Sequence, residues 1–211
     1  MALVILSRGQ RKLMADNRAI FLVDCDGPLA DLPSIWYERH NRTCTVCSKP
    51  LTIDMVHDWY LHQFVECGKD VYKYLDDPTI WRDVRPHRNA QRILRRMTSY
   101  VRPVVVTTVT SGLQARLYRI QWIRKHFPYI NPLDIVITDK KSCVNGDILL
   151  DDAPHNLADH TAHRLVLDYP WNRNFSDALR VFNWEDVEAC VREYLELGVP
   201  DGRLRRSLRP G

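Results

Sequence analysis

No apolar run in this chain approaches the roughly 20 residues a helix needs to cross a bilayer, which excludes a helical membrane span. The opening Ala2-Leu3-Val4-Ile5-Leu6 is too short for a signal-peptide core and precedes the basic residues rather than following them. Internal repeats, low-complexity tracts and Gly/Ser linkers are missing, so neither a solenoid nor a string of tethered modules is expected. Histidines such as His155, His160 and His163 lack the spacing of a nucleophilic triad and read as surface or loop residues. A large excess of one charge is also absent: the formal net charge is +4. Together these point to a cytoplasmic protein with no membrane partner. Its six cysteines then read as thiols or metal ligands rather than a disulfide framework.

With 211 residues, 45% of them hydrophobic, the chain suits one globular core, alone or with a small insertion. Arg203, Arg205, Arg206 and Arg209 make a basic C-terminal tail. Such a tail can touch nucleic acid, but a solvated terminus is the simpler reading, and +4 suits a small anionic molecule equally well.

Strands are expected at 19–23, 101–108, 133–138, 147–150 and 164–167, with helices at about 89–99, 113–127, 154–160 and 184–197. This alternation predicts an α/β fold, a doubly wound parallel sheet. Residues 30–85 contain no convincing buried strand but carry amphipathic, aromatic-rich stretches at 34–40, 53–67 and 69–75. They are read as a small helical cap inserted after the first strand. The expected division is a core of 19–29 and 86–197, the cap at 30–85, an N-terminal segment 1–18 and a tail 198–211.

Four elements follow predicted strands. Asp24-Cys25-Asp26-Gly27 ends the run Ala19–Val23. Alternate residues of an extended segment share a side, so both carboxylates face one way at the edge where open α/β sheets bind ligands. Such a pair can supply a nucleophile, a proton shuttle and a cation site. Thr107-Thr108 ends the second strand, with Val109-Thr110-Ser111-Gly112 leading into a helix, a junction suited to phosphate oxygens. Lys141 follows the third strand, and Asp151-Asp152 ends Ile148-Leu149-Leu150. The first and fourth elements would supply the few carboxylates that a magnesium ion prefers. Singly, each has a plain alternative: an Asp-Gly turn, a strand end, a surface lysine, a helix cap. Their shared placement favours the chemical reading.

This pattern resembles the haloacid-dehalogenase-like phosphatase superfamily, and within it the 5'(3')-deoxyribonucleotidase family. The likeness rests on Phe21-Leu22-Val23-Asp24-Cys25-Asp26-Gly27-Pro28-Leu29-Ala30-Asp31 and on Lys141 ahead of Gly146-Asp147-Ile148-Leu149-Leu150-Asp151-Asp152. It continues through Tyr118-Arg119-Ile120-Gln121-Trp122-Ile123, Pro170-Trp171-Asn172-Arg173 and Asn183-Trp184. The resemblance implies Asp24 as nucleophile forming an aspartyl-phosphate and Asp26 as acid and base. It implies magnesium on Asp24, the Asp26 main-chain carbonyl and Asp152, supported by Asp151, with Thr108 and Lys141 gripping phosphoryl oxygens. Pro28, Val109 after Thr108, and Asp139 two residues before the lysine depart from the family pattern and bear on nucleotide preference.

The expected activity is magnesium-dependent hydrolysis of (deoxy)ribonucleoside monophosphates, with a homodimer left open. The alternatives are the same chemistry on a polynucleotide 3'-phosphate or a sugar phosphate, or a non-catalytic binding module on this fold. Trp36, Tyr37, Trp59, Tyr60 and Phe64 are available to stack on a base, with Trp36, Trp59 and Phe64 preferred, although aromatics at helical spacing commonly pack a core. Cys44-Thr45-Val46-Cys47 has zinc-knuckle spacing. Its further ligands would come from Cys67, His57 and His62. With no second such pair, a loop carrying two free thiols is the preferred reading over structural zinc.

Overall fold

The computed structural model describes residues 16–109 and 112–197. Most of the N-terminal segment, the arginine-rich tail, and Thr110 and Ser111 lie outside the described residues. Six strands form one sheet: β1 (Ala19–Val23), β2 (Val101–Thr107), β3 (Ile135–Ile137), β4 (Ile148–Asp151), β5 (His163–Leu167) and β6 (Leu179–Val181). Their order is β3-β2-β1-β4-β5-β6, with every pairing parallel. The helices are α1 (Leu32–Thr43), α2 (Lys73–Asp76), α3 (Ala90–Met97), α4 (Gly112–His126), α5 (Pro154–Ala158) and α6 (Trp184–Leu197). This is the α/β architecture expected.

The strands are apolar throughout because both sheet faces are covered, and the twofold alternation of side chains sorts them into two cores. Phe21, Val23, Val105, Ile148 and Leu150 face a large core that α3, α4 and α6 close with Ile93, Ile123 and Trp184. Leu22, Val104, Val106 and Leu149 face a smaller one, closed by Leu157 of α5. Between β1 and β4 the chain direction across the sheet reverses, and open sheets leave a ligand crevice beyond the carboxyl ends at such a point. In register, Val23 lies opposite Leu150, so the next residues, Asp24 and Asp151, emerge side by side. The Asp24 N–H donates to the Leu150 carbonyl at 2.9 Å, extending the ladder by one step.

Two local expectations change. The sixth strand, β6, was not anticipated: it is three residues long with Arg180 at its centre, too short and too polar to show an apolar run. The stretches 53–67 and 69–75 form mainly single 3₁₀ turns at Ile53–Met55, Leu61–Phe64 and Gly68–Tyr72, followed by the one-turn α2. Gly68, with φ of +54°, breaks the helical path, and Pro78 starts a further turn. Of the inserted stretches only α1 is a helix of full length.

The large core is clamped at one edge by charge. Glu188 of α6 accepts hydrogen bonds from Arg96 and from Tyr100 Oη (2.9 Å), and from Arg192 one turn on (3.0 Å). The Arg96 hydrogen bond, aided by Tyr100 and Arg192 against the cost of burial, holds the carboxyl down at about 2, below its ordinary 4.5. A depressed acid stabilises the fold above its unfolded pKa and loses that contribution as pH falls through the folded value. Glu188→Gln should therefore lower stability by about 1 kcal/mol at neutral pH, the half-exposed Arg96 screening part of the effect. In urea denaturation series, the gap from wild type should narrow as pH is taken below 4.5 towards 2. A gap unchanged over that range would refute the assignment.

Candidate active site

Asp24 leaves the end of β1 almost fully buried. Its Oδ1 accepts the Cys25 N–H at 2.7 Å, which fixes the carboxylate against its own turn. That turn closes through Gly27 N–H to the Ala30 carbonyl (2.9 Å) and Ala30 N–H to the Cys25 carbonyl (2.8 Å). Glycine is required at 27 on two counts. Its φ is +86°, and a Cβ there would lie 2.7 Å from Asp152 Oδ1.

Across the crevice, β4 delivers Asp151 and Asp152, both buried. Asp151 is saturated by its neighbours: it accepts the Ala153 N–H (2.9 Å), the Asn156 amide (3.2 Å) and the Lys141 ammonium (2.7 Å). Asp152 accepts the Trp171 indole N–H on Oδ2 at 3.2 Å, and its Oδ1 faces Gly27. Lys141, buried in a 3₁₀ turn after β3, also reaches Asp24 Oδ1 at 2.8 Å and so bridges the two acidic strand ends. Asp24, Asp151 and Asp152 each offer a carboxylate oxygen within 4.8 Å of the other two.

Asp26 projects from the same turn and pairs with Arg119 of α4, Oδ2 to Nη2 at 2.9 Å. Its Oδ1 is buried without a hydrogen-bond partner among the described residues. Arg119 also donates to Thr107 Oγ1 (2.8 Å) and to the Thr108 carbonyl, with its guanidinium 4.5 Å from the centre of the Trp81 ring. Thr107 is thus fully buried and engaged, whereas Thr108 is half-buried and donates its hydroxyl to the Thr138 carbonyl at 3.0 Å.

Four carboxylates therefore meet two cations, Lys141 and Arg119, which leaves an excess of two negative charges in a buried space. Burial and this crowding raise the pKa of three of the acids. Burial raises Asp24 to about 7 despite the nearby Lys141 charge. Burial, then the adjacent Asp151 charge, lifts Asp152 well above its ordinary range. Burial also raises Asp26 against Arg119 and Lys141. Lys141 stays firmly protonated, because Asp151 and Asp24 outweigh the burial that disfavours its charge. A hard divalent cation with carboxylate ligands would offset the two-charge excess, so the donor set fits magnesium.

The sequence pattern alone gives Arg119 and Trp171 no role. The signal for Arg119 was present: Ala115, Arg119, Trp122 and Ile123 lie at helical spacing on the buried stripe of α4, where an arginine requires a buried partner. Trp171 stacks on Tyr169 with ring centres 4.3 Å apart. Among the aromatics named for base stacking, Trp36 donates its indole N–H to the Val71 carbonyl (2.8 Å) and packs against Tyr37 and Tyr72. Phe64 meets His57 edge-on. Tyr60 is exposed, its ring beside His62. Trp59 is 43% exposed, and its ring lies 4.8 Å from that of His155, at the start of α5 just beyond Asp152.

Cys44 and Cys47 do not sit in a loop by themselves. Cys67 and His40 join them, with all four potential ligand atoms within 4.8 Å of one another. His57 and His62, the histidines considered from spacing, lie elsewhere, against Phe64 and Tyr72. His40 was missed because it sits inside α1, but it is four residues before Cys44 and so shares a helix face with it.

Known proteins resemble this chain over most of its length. The family model for 5' nucleotidase, deoxy (pyrimidine), cytosolic type C protein matches residues 18–195. A 5'(3')-deoxyribonucleotidase of Bacillus subtilis strain 168 is 28% identical over 171 residues, covering 81% of this chain and 97% of the relative. A 5'(3')-deoxyribonucleotidase of Clostridium acetobutylicum is 26% identical over 180 residues, covering 82% and 94%. Among solved structures, a haloacid dehalogenase-like protein of Agrobacterium tumefaciens strain C58 superposes with a TM-score of 0.56 at 15% identity, over 84% of this chain and 99% of that one, which supports the fold. The family match spans all four acidic motif residues and Lys141, and on that ground the chain belongs to the family of deoxy (pyrimidine) 5' nucleotidases of cytosolic type C.

Proposed function

We propose that this phosphatase hydrolyses deoxyribonucleoside monophosphates with magnesium, through a phosphoryl group carried on Asp24. The observation that carries the reading is the meeting of Asp24 with Asp151 and Asp152 around the Lys141 ammonium. Asp24 Oδ1 is engaged by Cys25 and Lys141, while Oδ2 takes no hydrogen bond from another described residue and is free to attack phosphorus. The phosphorus-to-ester-oxygen bond then breaks, and Asp26 delivers a proton to the departing alkoxide. In the second step Asp26 takes a proton from a water molecule as that water attacks phosphorus, and the bond from phosphorus to the Asp24 oxygen breaks, releasing phosphate and restoring the Asp24 carboxylate. The raised pKa of Asp26 supports its starting this cycle protonated.

Magnesium would be held by Asp24, the Asp26 main-chain carbonyl and Asp152, with Asp151 anchoring Lys141. Bound there, it supplies positive charge between the nucleophile and an anionic phosphoryl group. Lys141 and Thr108 would take phosphoryl oxygens, Lys141 as the buried charge beside the nucleophile and Thr108 by its hydroxyl once that proton turns from the Thr138 carbonyl. Residues 30–85 act as a cap in this reading. Trp59 is the aromatic best disposed to meet a base, being partly open and beside His155, whereas Trp36 is tied to its own packing. Among the described residues no helix is long and apolar enough to cross a membrane, and the six unpaired cysteines support a reducing, cytoplasmic setting.

Phosphate release from a panel of deoxynucleotides, ribonucleotides and sugar phosphates tests this directly. Deoxynucleotides should turn over fastest, chelation should abolish the activity, and Asp24→Asn should reduce it by roughly 10³-fold or more. Full turnover by that variant would remove the mechanism, and a preference for sugar phosphates would remove the substrate assignment.

The charge excess has a separate consequence for stability. In chelator, Asp24→Asn removes one crowded carboxylate while keeping an acceptor for Cys25 and Lys141, and should raise the melting temperature by about 2–4 °C. Lys141→Met strands two buried carboxylates and should cost about 3 kcal/mol. Adding magnesium should stabilise wild type and have little effect on Asp24→Asn. Equal stabilisation of both proteins would mean that the ion binds elsewhere.

A further inference from the structure

We propose that His40, Cys44, Cys47 and Cys67 form a closed structural zinc site within the inserted segment, separate from the carboxylate crevice. This proposal does not rest on the phosphatase reading. Three thiols and one imidazole are a standard ligand set for structural zinc, and the two-residue spacing of Cys44 and Cys47 is that of a zinc knuckle. Zinc bonds of about 2.3 Å to sulfur and about 2.0–2.1 Å to nitrogen, at tetrahedral angles, put ligand atoms about 3.5–3.8 Å apart. His40 Nε2 lies 3.4 Å from Cys67 Sγ and 3.5 Å from Cys47 Sγ, and all four ligand atoms fall within 4.8 Å of one another.

The surroundings match what a ligating histidine requires. His40 is 1% exposed, on the last turn of α1, and its Nδ1 lies 3.1 Å from Asn41 Oδ1. A proton on Nδ1, donated to that amide oxygen, leaves the Nε2 lone pair directed at the three sulfurs. Asn41 is itself held by Leu51, accepting its N–H at 2.7 Å and donating to its carbonyl at 2.8 Å. The arrangement ties the end of α1 to the chain that follows the knuckle. Cys67 brings in a third stretch, directly before the turn Gly68–Tyr72.

A disulfide explains the cluster less well. Three cysteines cannot all pair with each other, and a disulfide leaves the buried imidazole without a purpose. The segment also needs a clamp. Its own core is small, Tyr37, Leu51, Val56, Leu61 and Val71, backed by short 3₁₀ turns, so a cross-link there would add to its stability. Zinc would cross-link three stretches of the segment at one point. With four protein ligands no position remains for water or substrate, so the ion's role is structural.

The test is metal analysis of the full chain. Purified protein should carry about one zinc per chain, and replacement by cobalt should give the visible and near-ultraviolet bands of a tetrahedral thiolate complex. Zinc should protect three of the six thiols from alkylation, with mass mapping identifying Cys44, Cys47 and Cys67. Cys67→Ser should lose most of the zinc, while Cys143→Ser, an exposed cysteine outside the cluster, should keep it. Cobalt spectra and thiol protection are read on the wild-type protein, so a variant that fails to fold does not blunt the test. Absence of zinc after expression in zinc-supplemented medium, or equal alkylation of all six thiols with and without zinc, would overturn the proposal.

Discussion

Lys141 is in contact with acids from two strands at once, Asp24 at 2.8 Å and Asp151 at 2.7 Å, and the rest of the crevice is arranged around that ammonium. Burying a carboxylate costs several kcal/mol unless charge or hydrogen bonds compensate. Here the compensation is partial. Asp151 is fully served by Lys141, Asn156 and the Ala153 N–H, and Asp26 has Arg119. Asp24 Oδ2 and Asp152 Oδ1 take no hydrogen bond from the described residues, and burial pushes both carboxyls towards the protonated form. A fold that tolerates this arrangement stores unfavourable electrostatics in a place where a cation and an anionic substrate can relieve it together.

Only the sheet order makes that contact available. β1 and β4 are far apart in the chain but adjacent in space, and the parallel register sets Val23 opposite Leu150. One residue of slip would turn every side chain to the other face and separate the acids. The register is protected by burial on both sides, with Phe21 and Val23 in one core and Leu22 in the other. Backbone closeness completes the arrangement. A side chain at Gly27 would displace Asp152, and one at Gly146 would strike Leu22, 2.5 Å from its Cγ. The same acidic turn is tied from behind, where Trp184 of α6 donates its indole N–H to the Pro28 carbonyl at 2.9 Å.

Strands β1, β2, β4 and β5 were legible because each is an apolar run cut off by a polar cluster. Their motif residues were legible because sheet edges collect chemistry. The long helices α4 and α6 were readable from periodicity to within a residue or so. What escaped had a physical reason each time. β6 is stabilised by its neighbour rather than by composition, with Arg180 bonded to Asp168 and Asn172. The inserted segment is held by side-chain ties such as Asn41 to Leu51 and Ser48 to Glu66, which leave no periodic trace. Arg119 meets Asp26 from a distant part of the chain, and His40 meets Cys67 from beyond the knuckle, so these contacts could not be counted from spacing.

Donor chemistry keeps the two candidate cation positions distinct. The crevice offers carboxylate oxygens, hard ligands that suit a small, strongly hydrated ion and leave room for water and phosphate. The inserted segment offers three sulfurs and an imidazole, softer ligands that complete a coordination shell by themselves. An ion in the first position can exchange and meet substrate; one in the second cannot. The segment holding the thiol cluster also carries Trp59, which reaches over to His155 beside Asp152. Rigidity at the cluster and contact at Trp59 are therefore properties of one piece of chain. A metal at the cluster would restrict the segment that carries Trp59 without adding any group to the carboxylate crevice.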